Sequence, residues 1–432
     1  MIEKSRIGNH AKVRRGASPR PIGDPKYFGG AVGWVRISDV TSAKKYLRKT
    51  EQYVSPLGES LSVRVDCGDL IMSICATIGR PVIVDMPACI HDGFVQFYDV
   101  NNDNKEYMYY LLQFHEKDLE RKGQPGTQVN LNTTIVENFE AFFPNSLAEQ
   151  SKIARILSTI DTVIEKTEAA ITKYKAIKAG MMGDLSTRGI DLVTGKLRPS
   201  YEEAPELYKP SELGRIPKEW EVGNLIDFAS EQHYSFTGGP FGSDLQTKHY
   251  TVSGVRIIQL QNIGDGEFLD DYKIYTSEQK ADALYSSNIF PGDIIISKMA
   301  DPIARACIIP ESNGRYLMAS DGIRLKVNQT LFNTTFVLET INSKEFRRKA
   351  ENRSTGSTRA RIGLDDLRKI PVKYPSKTEQ DQIAAILKSI DKNIAENEQL
   401  SKKNRQLKQA LMSDLLTGKV RVKYEEEKTE AV

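Results

Sequence analysis

Four polar, glycine-containing loops hold the side chains in this chain best suited to handling an anion or the edge of a base. The first runs Arg14-Arg15-Gly16-Ala17-Ser18-Pro19-Arg20 and the second Arg121-Lys122-Gly123-Gln124-Pro125-Gly126-Thr127-Gln128. The third is Gly238-Gly239-Pro240-Phe241-Gly242-Ser243, with Gln246 and Lys248 just beyond it. The fourth is Arg353-Ser354-Thr355-Gly356-Ser357-Thr358-Arg359-Ala360-Arg361. Arginine and lysine neutralise phosphates, and arginine also pairs bidentately with guanine. Glutamine pairs with adenine, while hydroxyls and backbone N–H groups hold a nucleic-acid backbone in place. The mixture suits DNA. The candidate DNA-contacting residues are therefore Arg14, Arg15, Ser18, Arg20, Arg121, Lys122, Gln124, Thr127, Gln128, Ser243, Gln246, Lys248, Arg353, Ser354, Thr355, Ser357, Thr358, Arg359 and Arg361. One such loop is more often a solvated surface. Recurrence at matching places in two halves of a chain points to function. The residue types do not separate base contacts from phosphate contacts.

No other chemistry is legible. Cys67, Cys75, Cys89 and Cys307 are unclustered and the five histidines scattered, so no metal-ligand spacing and no Cys/His or Ser/His/Asp arrangement emerges. The segment 189–196 resembles a phosphate-binding loop, but its spacing is wrong and Leu197 stands where Ser or Thr is required. A DNA methyltransferase would need an [NDS]-P-P-[YF] motif and a glycine-rich cofactor loop, and the sequence has neither. The chain reads as a reader of DNA without catalysis of its own, binding no cofactor and no metal.

The loops must be carried by something, and the sequence shows it twice. At an offset of 230 positions, Glu149-Gln150 matches Glu379-Gln380, Ile153-Ala154 matches Ile383-Ala384, Ile156-Leu157 matches Ile386-Leu387 and Ile160-Asp161 matches Ile390-Asp391. Weaker matches lie upstream: Gly68-Asp69-Leu70-Ile71 with Gly292-Asp293-Ile294-Ile295, and Asp92-Gly93-Phe94 with Asp321-Gly322-Ile323. The loop at 122–130 falls where 353–361 falls. Each copy is thus a divergent domain of about 150 residues followed by a similar helix, within the ordinary domain range. The parts that differ do different work, and the parts that agree do the same work.

Both helices carry alternating three- and four-residue spacings of a coiled-coil seam. Ile156, Ile160, Val163, Tyr174 and Ile177 in the first, with Ile386, Ile390, Asn393, Asn397, Leu400 and Leu407 in the second, are the expected pairing residues. Leu157, Ile164, Leu387 and Ile394 widen the stripe at each helix start, which predicts packing against a globular body too. The seam asparagines either fix register and partner or meet water where the seam is shallow. A rod of about 36 residues spans roughly 50–55 Å.

Strand-like runs at 31–37, 70–75, 81–84 and 94–100 precede a helical stretch at 106–118. Runs at 255–260, 294–297, 306–309 and 323–327 precede one at 332–350. The expected fold is α+β: two tandem recognition domains, separated and followed by long helices that pair as an antiparallel coiled coil with pseudo-two-fold symmetry. The expected boundaries are 1–145 and 218–374 for the recognition domains, 146–187 and 375–418 for the helices, 188–217 for a linker and 419–432 for a charged tail. The net charge of +3 over 432 residues requires any DNA-binding charge to be concentrated in patches. Unpaired thiols, a polar N-terminus and short apolar runs predict a cytoplasmic protein without a membrane span.

The pattern resembles the specificity subunits of type I restriction–modification enzymes over essentially the whole chain. The resemblance rests on Ser211-Glu212-Leu213-Gly214-Arg215-Ile216-Pro217-Lys218-Glu219-Trp220-Glu221-Val222, the segments 14–21 and 34–40, and the repeated Glu-Gln-x-x-Ile-Ala-x-Ile-Leu-x-x-Ile-Asp. The Leu-Gly-x-Ile-Pro lead of the second repeat is missing before the first. The resemblance implies double-stranded DNA as ligand, each recognition domain reading half of a split asymmetric site, and helices that set the spacer. It implies two modification subunits carrying S-adenosylmethionine, and two restriction subunits using ATP and Mg. The residues themselves leave a stand-alone DNA-binding protein, an anti-restriction adaptor and a coiled-coil scaffold open.

Overall fold

A computed structural model describes residues 4–100, 102–123, 130–299, 302–356 and 360–424. Contacts divide the chain into two compact units. One comprises Met1–Ala170 with Asn397–Val432, the other Ile171–Glu396. The two long helices, Leu147–Thr187 and Lys377–Leu415, therefore each contribute residues to both units.

In the first unit a five-stranded sheet runs in the order Lys12–Arg15, Phe94–Tyr98, Leu70–Ser73, Pro81–Val84, Tyr46–Leu47. Strand alternation sends Leu70 and Met72 into one apolar cluster and Ile71 into another, so this sheet is buried on both faces. One face meets the helix Asn102–Phe114 and the start of the first long helix through Tyr107, Leu111, Ile153 and Leu157. The other packs toward a four-stranded sheet ordered Gln52–Val54, Phe28–Val35, Ala88–Ile90, Val63–Val65. The second unit repeats the plan. Phe236–Gly238, Gly322–Leu325, Ile294–Ser297 and Ala306–Ile308 form its buried sheet, where Ile294 and Ile296 face one cluster and Ile295 the other. In the companion sheet Val255–Ile258 pairs in parallel with Tyr316–Met318, as Phe28–Val35 does with Ala88–Ile90. The fold is α+β, as the strand runs predicted.

The repeated helix-start motif is explained residue by residue. Gln150 and Gln380 each donate a side-chain amide hydrogen to the carbonyl of a proline just upstream, Pro144 at 2.8 Å and Pro375 at 2.9 Å. Glu149 and Glu379 are buried. Each meets an arginine from the segment after the other helix: Arg421 holds Glu149, and Arg198 holds Glu379 at 2.6 and 2.9 Å. Asp161 accepts Lys408 at 2.6 Å in the first unit, and Asp391 accepts Lys178 at 2.9 Å in the second. These are one contact made twice with the helices exchanged. In both units the early part of one helix meets the late part of the other, so the pairing is antiparallel.

The buried stripe differs from the expected seam. It runs through Ile153, Leu157, Ile160, Ile164 and Thr167 in the first helix and Ile383, Leu387, Ile390 and Ile394 in the second. Ile156 and Ile386 are half-buried against the cores, and Tyr174, Asn393 and Asn397 are half-buried. Val163, Ile177, Leu400 and Leu407 are exposed, a correction to their expected place in the seam. The reason is the second load each helix carries. Its start packs on an α/β body as well as on its partner helix, which centres the stripe on the Leu157 and Leu387 rows. The stretch 188–217 is not an open linker. It holds two hairpins, Ile190–Asp191 with Lys196–Leu197 and Tyr208–Ser211 with Gly214–Pro217.

Candidate nucleic-acid interface

In the first unit, strand Lys12–Arg15 delivers the first loop to one end of the buried sheet. Gly16 donates its N–H to the Phe94 carbonyl at 2.9 Å, and a Cβ there would stand 2.1 Å from the His91 carbonyl oxygen. Only glycine lets the loop press this closely on the turn before Phe94. Asp92 sits in that turn and gathers the loop. Its carboxylate accepts Ser18 at 2.7 Å and Arg20 at 3.2 Å, and its carbonyl accepts Arg15 at 2.7 Å. The Ser18 hydrogen bond, helped by the Arg20 charge, holds the Asp92 carboxyl below the usual carboxylate range. Beside it, burial lowers the His91 imidazole. Arg14 lies one strand position away. Its Nε donates to Gln96 at 2.6 Å, Gln96 donates to Asp69 at 2.9 Å, and the guanidinium rests 5.7 Å from the centre of the half-exposed Tyr98 ring.

The second loop rejoins the body at this same turn. Asn130 bridges to Cys75, Leu131 donates its N–H to the Ile74 carbonyl at 2.9 Å, and Ile74 donates to the Gly93 carbonyl at 2.8 Å. Gln124, Thr127 and Gln128 lie outside the described residues. Arg121 ion-pairs with Asp118 on its own helix, and Lys122 is exposed. No contact among the described residues joins either to the Asp92 turn.

The second unit reproduces this framework with different side chains. Gly239 donates its N–H to the Gly322 carbonyl at 2.8 Å, and a Cβ there would lie 1.8 Å from the Ala319 carbonyl oxygen. Met299 bridges to Arg361, Ile362 donates to the Lys298 carbonyl at 2.9 Å, and Lys298 donates to the Asp321 carbonyl at 2.8 Å. Reciprocal backbone hydrogen bonds between Thr355 and Arg361, at 3.0 and 2.9 Å, close the fourth loop. The Asp321 carboxylate pairs with the Arg361 guanidinium. Ser354 bonds back to Ala350 and Arg353 to the Asp366 carbonyl, so both serve the loop's own base. Ser357, Thr358 and Arg359 lie outside the described residues.

The first and last loops of this unit line one open groove with Lys298, Ser320 and Arg361. Sequence reasoning missed Lys298. Its ammonium donates to the Ser320 carbonyl at 3.1 Å, and among the described residues no carboxylate comes within ion-pair distance. Burial, reinforced by the nearby Arg361 charge, pulls it below the ordinary lysine value. The Asp92-Gly93 and Asp321-Gly322 pairs were the available signal for this corner, but their register is corrected by one residue: Gly93 stands opposite Asp321 and Phe94 opposite Gly322. Ser243, Gln246 and Lys248 stand apart. Ser243 bonds to its neighbour Asp244, and Lys248 is exposed in the turn Thr247–His249, which leads into the companion sheet. Among the described residues no group of three His, Cys, Asp or Glu could hold a metal ion, and no helix is long and apolar enough to cross a membrane.

A family model described as the type I restriction modification DNA specificity domain matches residues 2–173 and again 217–409. The chain belongs to this family. Among curated specificity subunits of Methanocaldococcus jannaschii, that of the type I restriction enzyme MjaVIII is 26% identical over 336 residues, 73% of this chain and 70% of the relative. The putative MjaX specificity subunit is 29% identical over 340 residues, 74% and 70%. The crystal structure of a type I S subunit from M. genitalium shares the fold at a TM-score of 0.57 and 13% identity, covering 96% of both chains. The matched segments are the two copies found at the 230-residue offset. This specificity subunit is a non-catalytic member of its system.

Proposed function

We propose that the two units are the two DNA-reading domains of this specificity subunit, each reading one half of a split, asymmetric site. One observation carries the proposal: the same glycine-pinned turn, with an aspartate held by an arginine from a neighbouring loop, is built twice with different side chains. Two different readers require two different half-sites. The paired helices fix the number of unread base pairs between the halves and dock two modification subunits, which supply S-adenosylmethionine and adenine methylation. Two restriction subunits add ATP- and Mg-dependent translocation and cleavage. The chain works in the cytoplasm. Within those units the DNA-reading parts are 1–145 and 218–374, with the spacer helices at 146–187 and 375–418.

Methylome sequencing of cells expressing this chain with its modification partner tests the reading directly. The expected product is one non-palindromic bipartite motif. Matched seven-residue insertions near Tyr174 and Ala395, which lie opposite each other counting back from the Lys178–Asp391 contact, keep the helix faces in phase. They should lengthen the spacer and leave both half-sites unchanged. A palindromic motif, or an unchanged spacer, overturns the proposal.

A further inference from the structure

We propose that Phe241 reads a thymine, packing its ring against the C5-methyl edge of one base in the half-site of the second unit; this rests on the DNA-reading function proposed above. The loop from Gly239 to Asp244 is short and closed. Gly239 is pinned to the Gly322 carbonyl, Pro240 follows, and Asp244 donates its N–H to the Phe241 carbonyl at 2.9 Å. Phe241 is displayed by that turn with 83% of its surface in water. A lone exposed apolar side chain is ordinary on a protein surface. This one lines a groove whose other occupants include Lys298, Arg361, Ser320 and Thr355. Those are cations and hydroxyls suited to phosphates and base edges. The one apolar group presented by DNA in the major groove is the thymine methyl, and a phenyl ring is a suitable partner for it.

In the first unit the residue two places after the pinned Gly16 is Ser18, which holds Asp92, so a ring displayed at this place belongs to the second reader alone.

The test uses the full chain with its modification partner and duplexes carrying the site found by methylome sequencing. Phe241→Ala should weaken binding to that site about four- to tenfold, the scale of one lost methyl contact. Binding to a scrambled duplex, and the salt dependence, should be unchanged. Replacing thymines one at a time by uracil, which lacks only the methyl, should find one position that costs the unaltered chain a similar factor and costs the Ala variant nothing. Phe241→Leu should retain most of the affinity. Unchanged affinity in Phe241→Ala overturns the inference. So does an equal loss on site and scrambled DNA, or a loss blind to every uracil, as a ring wedged between base steps would give. A chain that does not distinguish its site from scrambled DNA overturns the DNA-reading function, and this inference with it.

Discussion

Asp92 and Asp321 occupy the same turn in the two units and are satisfied from opposite sides. Asp92 takes Ser18 and Arg20 from the loop that follows the first strand of its sheet. Asp321 takes Arg361 from the loop that precedes the return to the long helix. The main-chain hydrogen bonds repeat in both turns, but they set Asp321 opposite Gly93, one position later, with Ser320 where Asp92 stands. The cations that grip the carboxylate have changed places. A recognition surface can therefore diverge in its side chains while the corner that aims them is held by main-chain hydrogen bonds, provided the pinned glycines are kept.

The helix-end clamps provide the largest expected effect. Arg198 has a side chain only 10% exposed and shares Glu379 with the Trp220 indole at 3.2 Å and the Ile190 N–H at 2.7 Å. Arg421 is 59% exposed. Arg198→Ala should destabilise the second unit by about 3 kcal/mol, because a buried carboxylate loses its charge partner. Arg421→Ala should cost the first unit less, and less still in high salt. With one tryptophan in each unit, Trp34 and Trp220, single-tryptophan variants in urea report the two separately. Equal, salt-insensitive losses would break the contrast.

Next come the pinned glycines. Gly239→Val forces a Cβ against backbone and should weaken binding roughly thirtyfold, the ~2 kcal/mol cost of displacing a strained loop. Gly16→Val should do the same through the other half-site. Binding to duplexes mutated in one half at a time assigns each variant, and a variant that disturbs both halves would show that the corners are not independent.

Arg361→Ala should cost about tenfold, since it removes a cation and leaves Asp321 unpaired beside the groove. Arg20→Ala should cost less, because Ser18 still holds Asp92. A larger loss from Arg20 would reverse the roles assigned to the two loops.

The smallest effect is one of pH. Lys298 loses its proton at a lower pH than an ordinary lysine, so its attraction for phosphate is present below that value and lost as pH rises through it. Affinity measured as pH rises from neutral toward the ordinary lysine value, about 10.4, should fall a few-fold in the unaltered chain and stay flatter in Lys298→Arg. The backbone role of Lys298 is filled by Ile74 in the first unit, so the falling limb should follow the second half-site alone.

The helices and strands were legible because their signals are local. The 230-residue offset, the runs at 70–75 and 294–297, and the Asp-Gly pairs all survive in one dimension. The second row, Leu157, Ile164, Leu387 and Ile394, was legible and is buried, but how far the body draws the stripe off the outer seam residues depends on contacts the heptad spacing does not carry. The hairpins after Thr187 were hidden by weak, two-residue strands. Within the site, the polar loops were visible by composition, but not that their backbones meet the body at the turns that hold Asp92 and Asp321. That convergence depends on contacts over tens of residues, such as Leu131 with Ile74 and Ile362 with Lys298. Lys298 looked like an ordinary strand-end lysine, since only burial and the lack of an ion-pair partner among the described residues set it apart.

The exchange of helix halves also sets an order of events during synthesis. The core of the first unit contains Met412, Leu415 and Leu416 beside Ile7, Leu70 and Ile153. An emerging N-terminal half has its sheets and loops but lacks the Met412, Leu415 and Leu416 part of its core until the last turns of the second helix leave the ribosome. The second unit, Ile171–Glu396, has all its parts earlier. The half made first is thus the half completed last, and its closing contacts span some of the longest sequence separations in the chain, which places them late in folding.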